Sequence, residues 1–435
     1  MTLEILAAVG FVASALIALG ASPVAPTRRL AVLLGMSALV ALGAPPLAIV
    51  FALTLTTAFV VDTWMIRTDP QVTRAAPHVM VRGRPSPLRI EGSAAGPLQI
   101  RQPAPPDFDI EPSEAHQHLD GTITGRRRGR HVLPAVATKV AGPLGLAAHY
   151  RSSGGDAELL VYPDVPAAHR LALRVRQGRF RDAGRRTRGP LGLGTDFESI
   201  RDYLPDDDVR QVNWRASQRM GHPMSNVFRV EQDREVVCVV DTGRLMGSPV
   251  GNGTRLDVAT DAAVAVALVA DAVGDRCGLV AFDSEIRRHL APGRARGDGV
   301  VRAVFDLEHA DVDSDYELAF HTVGRGKRAL VLVLTDLLDQ AAAASLLEAV
   351  PILVRRHAVV IASTRDPDID SIVGMRPTRP ADVYTAAAAL HVLDARALVT
   401  ARLTRLGADI IEAPAELLSA ACVAAYLRAK QRARL

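Results

Sequence analysis

The sequence predicts an α/β protein: a doubly wound parallel sheet in the C-terminal half, preceded by a small β-sandwich-like domain and N-terminal transmembrane helices. Three observations predict it. From Glu235 onward, continuous apolar runs alternate with Ala-rich stretches, the pattern of parallel strands covered on both faces by helices. In the middle, short alternating stretches are punctuated by Pro, Gly and Asp, as in small antiparallel sandwiches. The opening is almost free of charge, which suits lipid better than water.

The 435 residues leave room for about two or three domains. Hydrophobic residues make up 49% but aromatics only 4%, so Ala and Val must fill much of the core. The net charge of +4 is a small, dispersed surplus. It argues against nucleic acid as a partner and suits attraction to anionic lipid beside a membrane. Cys238, Cys277 and Cys422 match no zinc or redox spacing. Cys238 and Cys277 lie in strand-like runs, where a free Cys acts as a small hydrophobe.

Residues 1–64 read as a transmembrane anchor of two or three spans. Ile5–Ala21 is one charge-free run; Leu30–Val61 is another, interrupted by Pro45–Pro46. Proline breaks a helix interior, so the second run reads as two short helices, near Leu30–Ala44 and Pro46–Val61. Both fall short of the roughly 20 residues of a full span, which implies a shallow hairpin or a locally thinned bilayer. If the hairpin returns, Arg28 and Arg29, and Arg67 and Arg74, all face the cytoplasm. The expectation is a multi-pass cell-membrane protein with its N-terminus outside and its soluble domains cytoplasmic. Trp64 falls where an interfacial anchor would lie. A cleaved signal peptide over Ile5–Ala21 is the rival reading, but Glu4 stands where a basic n-region is wanted. A buried soluble hairpin is a second rival.

Residues 65–176 form the expected β-rich domain, with strands at His78–Val81, Leu98–Arg101, Gly121–Thr124 and His131–Thr138. No residue cluster there carries chemistry. The run Arg126–Arg130 reads as a solvated turn or strand edge, or as a contact for anionic headgroups or an acidic partner.

Residues 177–234 comprise a polar connector, Gln177–Arg188, and a distinctive segment. In it Phe197, Glu198, Arg201, Tyr203, Asp207, Asp208, Arg210, Trp214 and Ser217 follow a Gly-Leu-Gly. The segment resembles the signature of the bacterial DUF58 family. Arg28–Arg29, the Arg128–His131 run and Gly142–Leu146 match further landmarks of that family, and the likeness covers residues 28–363. Asp206 replaces its usual Gly, and Gln218 a frequent Ala. The density of opposed charges suggests an ion-pair network that fixes geometry, with Trp214 supplying an apolar body and one donor. Alternatively the acids bind a metal, or Asp207 and Asp208 act with His222 as catalysts.

Residues 235–435 carry the α/β pattern. Strands are expected at Val236–Val240, Cys277–Phe282, Ala329–Leu334, Ala358–Ala362 and Asp409–Ile411. Helices are expected at Leu256–Val273, Ala341–Val350, Ala381–Leu406 and Ala415–Arg428. Asp241, Asp283 and Asp336 end strands and should share one rim, where such sheets bind ligands. The layout is similar to a von Willebrand factor A domain. That family holds a divalent metal with Asp-x-Ser-x-Ser, a Thr from a second loop and an Asp from a third. Here Asp241 and Asp336 match, and Thr254 is the candidate second-loop hydroxyl. Gly243 and Leu245 stand where both Ser should be. Losing two oxygen ligands implies a degenerate rim, with no cofactor and at most weak Mg²⁺ binding. Arg244, between the two lost positions, is expected to lie over Asp241 and Asp336 in place of the cation, or else to point to solvent.

No Walker sequence, nucleophile elbow, zinc-protease pattern or Cys/His pair occurs. No catalytic residue is therefore expected. The family resemblance implies a membrane-anchored, non-catalytic adaptor working beside a MoxR-type AAA+ ATPase. The rivals are a carboxylate-dependent hydrolase, a Mg²⁺-dependent adhesion-type module, and a wall component facing outward.

Overall fold

A computed structural model describes residues 24–41, 43–180, 196–204, 207, 209–229, 234–251, 253–337 and 343–431. The expected span Ile5–Ala21 and most of the connector lie outside the described residues. The chain forms two compact units, Met1–Arg126 with Arg130–Val161, and Arg127–Gly129 with Tyr162–Leu435.

In the first unit, helices α1 (Arg28–Ala41) and α2 (Pro45–Met65) pack as an antiparallel pair. Pro45 sits in the first turn of α2, where its missing N–H costs nothing. Among the described residues only α2, at 21 residues, is long and apolar enough to cross a membrane. The multi-pass expectation is thus reduced to one candidate helix, because α1 has only 14 residues. Large apolar side chains point outward all along the pair, including Val32, Leu39, Leu47, Val50 and Val60.

Strands fill the rest of this unit. One sheet runs Val24–Pro26, Ala147–Ser153, Val136–Ala141, Leu98–Arg101, Glu114–His116; another runs Gln71–Ala75, Ser86–Ser93, His118–Gly125, Phe108–Glu111. Both are antiparallel throughout. A third, three-stranded sheet joins Val79–Val81, Ala157–Tyr162 and Gly129–Leu133. The expected strand His131–Thr138 is two strands in different sheets. Pro134 divides them, since it cannot donate to a ladder. Ile90, Ile100, Ile123 and Val161 share one core with Leu55, Phe59 and Ile66 of the α2 region.

The second unit begins with α3 (Val165–Arg176), where the strand-rich text was expected to continue. Asp164 caps it and Pro166 lies in its first turn. Ala168, Ala172 and Val175 form its buried stripe. Strands β1 (Asp196–Asp202) and β2 (Met224–Arg229) make an antiparallel pair around the short helix α4 (Trp214–Met220).

The main sheet follows: β3 (Glu235–Asp241), α5 (Arg255–Ala272), β4 (Arg276–Phe282), β5 (Ile286–Gly293), α6 (Gly297–Val304), α7 (Tyr316–Gly324), β6 (Leu330–Leu334), α8 (Ala344–Val354), β7 (Ala358–Thr364), α9 (Pro367–Gly374), α10 (Pro380–Arg405), β8 (Asp409–Ala413) and α11 (Ala415–Gln431). The strand order is β5-β4-β3-β6-β7-β8. All neighbours are parallel except β5, which runs antiparallel to β4. The sheet is therefore mixed rather than wholly parallel. Sequence reasoning passed over β5, α6, α7 and α9. Arg287, Arg288 and His289 give β5 the charge of a half-exposed edge strand rather than a continuous apolar run.

Alternate residues of β3 feed opposite faces. Val236, Cys238 and Val240 pack with α5 and α11; Val237 and Val239 pack with α7, α8 and α10. The three cysteines are free and buried in the first of these layers. Contact with Cys238 and burial push the Cys277 thiol up, and burial pushes Cys422 up. They behave as packing groups rather than nucleophiles.

Candidate functional site

Asp241, Asp283 and Asp336 follow three adjacent strands of the sheet and all three are buried. Each is already occupied by protein groups. Asp241 Oδ1 accepts from Gly243 N at 2.8 Å and from Ser314 Oγ. Its Oδ2 lies 2.7 Å from Tyr316 Oη and 2.6 Å from Thr335 Oγ1. Burial, reinforced by Asp241, pushes the Tyr316 phenol well above its ordinary value, so it stays protonated as a donor. Gly243 occupies the first lost Ser position, and a Cβ there would lie 2.1 Å from Ser314 Oγ. The hydroxyl beside Asp241 thus comes from Ser314, 73 positions downstream. Leu245 sits half-buried in a short 3-10 turn, Arg244–Gly247.

Asp283 is held by Thr242 Oγ1 at 3.2 Å, Glu285 N at 3.1 Å and Arg287 Nε at 2.5 Å. Burial alone would raise its carboxyl. The hydrogen bonds and the Arg287 charge outweigh that and leave it below the usual range.

At Asp336 two arginines supply the positive charge that a cation would otherwise bring. Its Oδ1 accepts from Arg255 Nη1 at 3.1 Å, Arg396 Nη2 at 2.9 Å, Ser363 Oγ at 3.2 Å and Leu337 N at 2.9 Å. Arg255 also reaches Thr364 O at 3.0 Å and Asp366 Oδ2 at 3.3 Å. Arg244 does not play this part. It is exposed, and its Nε donates to Asp313 at 2.6 Å. The cations were missed because Arg255 lies 81 positions before Asp336 and Arg396 60 after it. One sequence signal was available: Arg396 falls on the same helix stripe as Ala389, Val399 and Leu403.

These donor sets do not fit Mg²⁺. A divalent ion at Asp336 would face two guanidinium groups, and at Asp241 it would have to displace four donors. Thr254 is committed elsewhere. It caps α5, and its Oγ1 lies 2.9 Å from Asp257 Oδ2. Asp257 in turn receives Arg128, whose Nε donates to Val304 O at 3.0 Å and whose Nη2 donates to Leu307 O. Arg128 is therefore a buried structural cation, not part of a solvated turn.

The signature segment makes a separate, exposed structure. Arg201 Nη2 meets Asp207 Oδ1 at 2.6 Å, and Leu204 N donates to Asp207 Oδ2 at 2.9 Å. The Leu204 N–H first, and then Arg201, lowers the Asp207 carboxyl. Tyr203 Oη donates to Asp207 O at 3.1 Å. Ser217 Oγ donates to Asn213 O and accepts from Met224 N, both at 2.8 Å. Phe197 and Glu198 lie on β1, but their side chains, the side chain of Arg210, and Asp208 fall outside the described residues. Trp214 is 72% exposed rather than enclosed by the ion pairs. His222 Nε2 lies 2.9 Å from Asp202 Oδ1, so the described partner of this histidine is not Asp207. Asn213, which sequence reasoning did not single out, caps α4 and donates to Asn226 Oδ1 at 2.8 Å.

A family model described as "Protein of unknown function DUF58" matches residues 199–377. The uncharacterized protein Rv1480 of Mycobacterium tuberculosis is 25% identical over 182 residues, 40% of this chain and 56% of that protein. Mb1516 of Mycobacterium bovis, also uncharacterized, matches to the same extent. The match thus spans little more than half the length of these relatives. Among solved structures, the D319A mutant of the PilB minor pilin from Streptococcus sanguinis is similar over 81% of this chain and 85% of its own. The identity is 9% and the TM-score 0.34.

Proposed function

We propose, for a chain whose residues 199–377 belong to the DUF58 family of unknown function, a membrane-tethered, non-catalytic interaction module. Its second unit is a von Willebrand factor A-like domain with a closed rim. One observation carries this reading: each rim acid is engaged by protein donors, hydroxyls at Asp241 and arginines at Asp283 and, through Oδ1, at Asp336. A general acid or base needs a proton site within reach of substrate, and a Lewis-acid centre needs open oxygen ligands. Asp241 and Asp283 offer neither, and Asp336 Oδ2, which accepts no hydrogen bond, is buried in a carboxylate already paired with two guanidinium groups. The exposed Trp214 and the flanking Arg215 and Arg219 give the signature segment the composition of a contact surface.

The family resemblance makes a MoxR-type AAA+ ATPase the proposed partner, with the soluble units in the cytoplasm, where ATP is available, and the chain held at the cell membrane. The test is titration of the full chain in detergent against such an ATPase, reading complex mass and ATP turnover. We expect a complex that Trp214→Ala weakens about tenfold or more, as for a buried aromatic anchor. Absence of any complex, or a hydrolytic activity of the chain itself that Asp207→Asn abolishes, would sink the reading.

A further inference from the structure

We propose that the base of the α1–α2 hairpin is a seat for an anionic phospholipid, with its headgroup at Arg28 and Arg29 and an acyl chain along α2. The inference is independent of the partner proposed above. It begins with Asp62, the first acid after Val24, which is fully buried although it lies in the last turn of a lipid-suited helix. Its carboxylate accepts three backbone N–H groups: Leu144 at 2.8 Å, Leu146 at 2.8 Å and Ala147 at 2.9 Å. A Cβ on Gly142 would lie 2.2 Å from that carboxylate, so the loop 142–147 closes over Asp62 only with Gly there.

The same loop is tied to the start of α1. Thr27 N donates to Leu146 O at 3.0 Å, and Thr27 Oγ1 to Gly145 O at 2.6 Å. The start of α1 and the end of α2 therefore lie at one level, both fastened to a single β-turn. Two things follow from this clamp. The hairpin returns to the side it left, and the neighbours of Thr27 and Asp62 form a fixed collar. That collar holds Arg28, Arg29 and the 66% exposed Trp64.

Neither Arg28 nor Arg29 forms an ion pair among the described residues, and no acid occurs from Val24 to Val61. The Arg29 guanidinium lies against the loop: a Cβ on Gly145 would sit 2.9 Å from its Nη1. The acid that could have neutralised the pair, Asp62, is consumed by backbone N–H groups. Beside the collar, Leu144 and the α2 residues Val50, Leu53, Thr57 and Val61 line an open, mainly apolar groove. The α2 stretch rises about 16 Å at 1.5 Å per residue, enough for much of an acyl chain. Unpaired guanidinium groups at one end of an apolar groove match a phosphate headgroup above a hydrocarbon tail.

The chain has two tryptophans, so Trp214→Phe leaves Trp64 as the reporter. The full chain would be placed in bilayers containing dibrominated phosphatidylglycerol or dibrominated phosphatidylcholine at equal mole fraction. We expect stronger quenching of Trp64 by the anionic lipid, the excess lost in R28Q/R29Q and kept in R28K/R29K. Equal quenching by both lipids, an excess that survives R28Q/R29Q, or loss of the excess in R28K/R29K would overturn the proposal. The Lys variant separates loss of charge from a damaged fold.

Discussion

Asp62 in the first unit and Asp336 in the second are both fully enclosed carboxylates, yet their charges are met in opposite ways. Asp62 takes three backbone N–H groups from one tight loop. Asp336 takes two guanidinium groups that the fold collects from α5 and α10. The first is a local solution that fixes a turn on a helix end; the second is a long-range solution that locks two helices to a strand end. Removing a loop's anion loosens the loop. Removing one cation from a buried cluster leaves the opposite charge stranded.

The largest expected effect tests that contrast at the rim. Arg255→Leu should destabilise the full chain by about 3–5 kcal/mol, because Asp336 and Asp366 each lose a partner. Thermal unfolding in detergent measures it, and an unchanged midpoint would show that the cluster does not bear on stability. Asp62→Asn should cost less, about 1–3 kcal/mol, since an amide keeps one acceptor but places a donor against N–H groups. Proteolysis within loop 142–147 should quicken in that variant; a wild-type cleavage rate would deny the clamp. Gly243→Ser should also cost about 1–3 kcal/mol by overpacking against Ser314. Millimolar Mg²⁺ should not recover it, and recovery would mean that the rim still accepts a cation.

The smallest effect is a pH dependence. Asp283 has its carboxyl held below the usual range. Its ionised form therefore contributes stability that is fully present above the ordinary carboxylate value, roughly pH 4. That contribution is lost as pH falls through the lowered value. In Arg287→Gln the carboxyl moves up, so the loss begins at higher pH. The gap between the two unfolding midpoints should be widest near neutrality and narrow in acid. A constant gap would show that Arg287 acts through packing alone.

Much of the sheet was legible because buried parallel strands are written as unbroken apolar runs. Val236–Val240 and Cys277–Phe282 lie within the observed strands β3 and β4. Edge strand β5 was not, since its charges mask the pattern. In the signature segment, pairing of Arg201 with Asp207 agrees with the charge density, while the exposure of Trp214 does not follow from its size. At the rim, the loss of both Ser positions pointed to a missing positive charge; of the two readings of Arg244, the one that placed it over the acids fails and the one that turned it to solvent agrees with its exposure. Nearness in sequence guided the first reading, and the groups that answer the deficit, Arg255, Arg396, Ser314 and Tyr316, are brought in by topology.

Ser314 sitting in the space above Gly243 has a consequence for how this rim can change. The two positions exclude each other's hydroxyl, so neither can be altered on its merits alone. A lineage that moved from one arrangement to the other would pass through a neighbour that is either crowded or short of a donor. Engineering the rim back toward ion binding faces the same terrain: single replacements lead downhill, and only paired ones reach the other side.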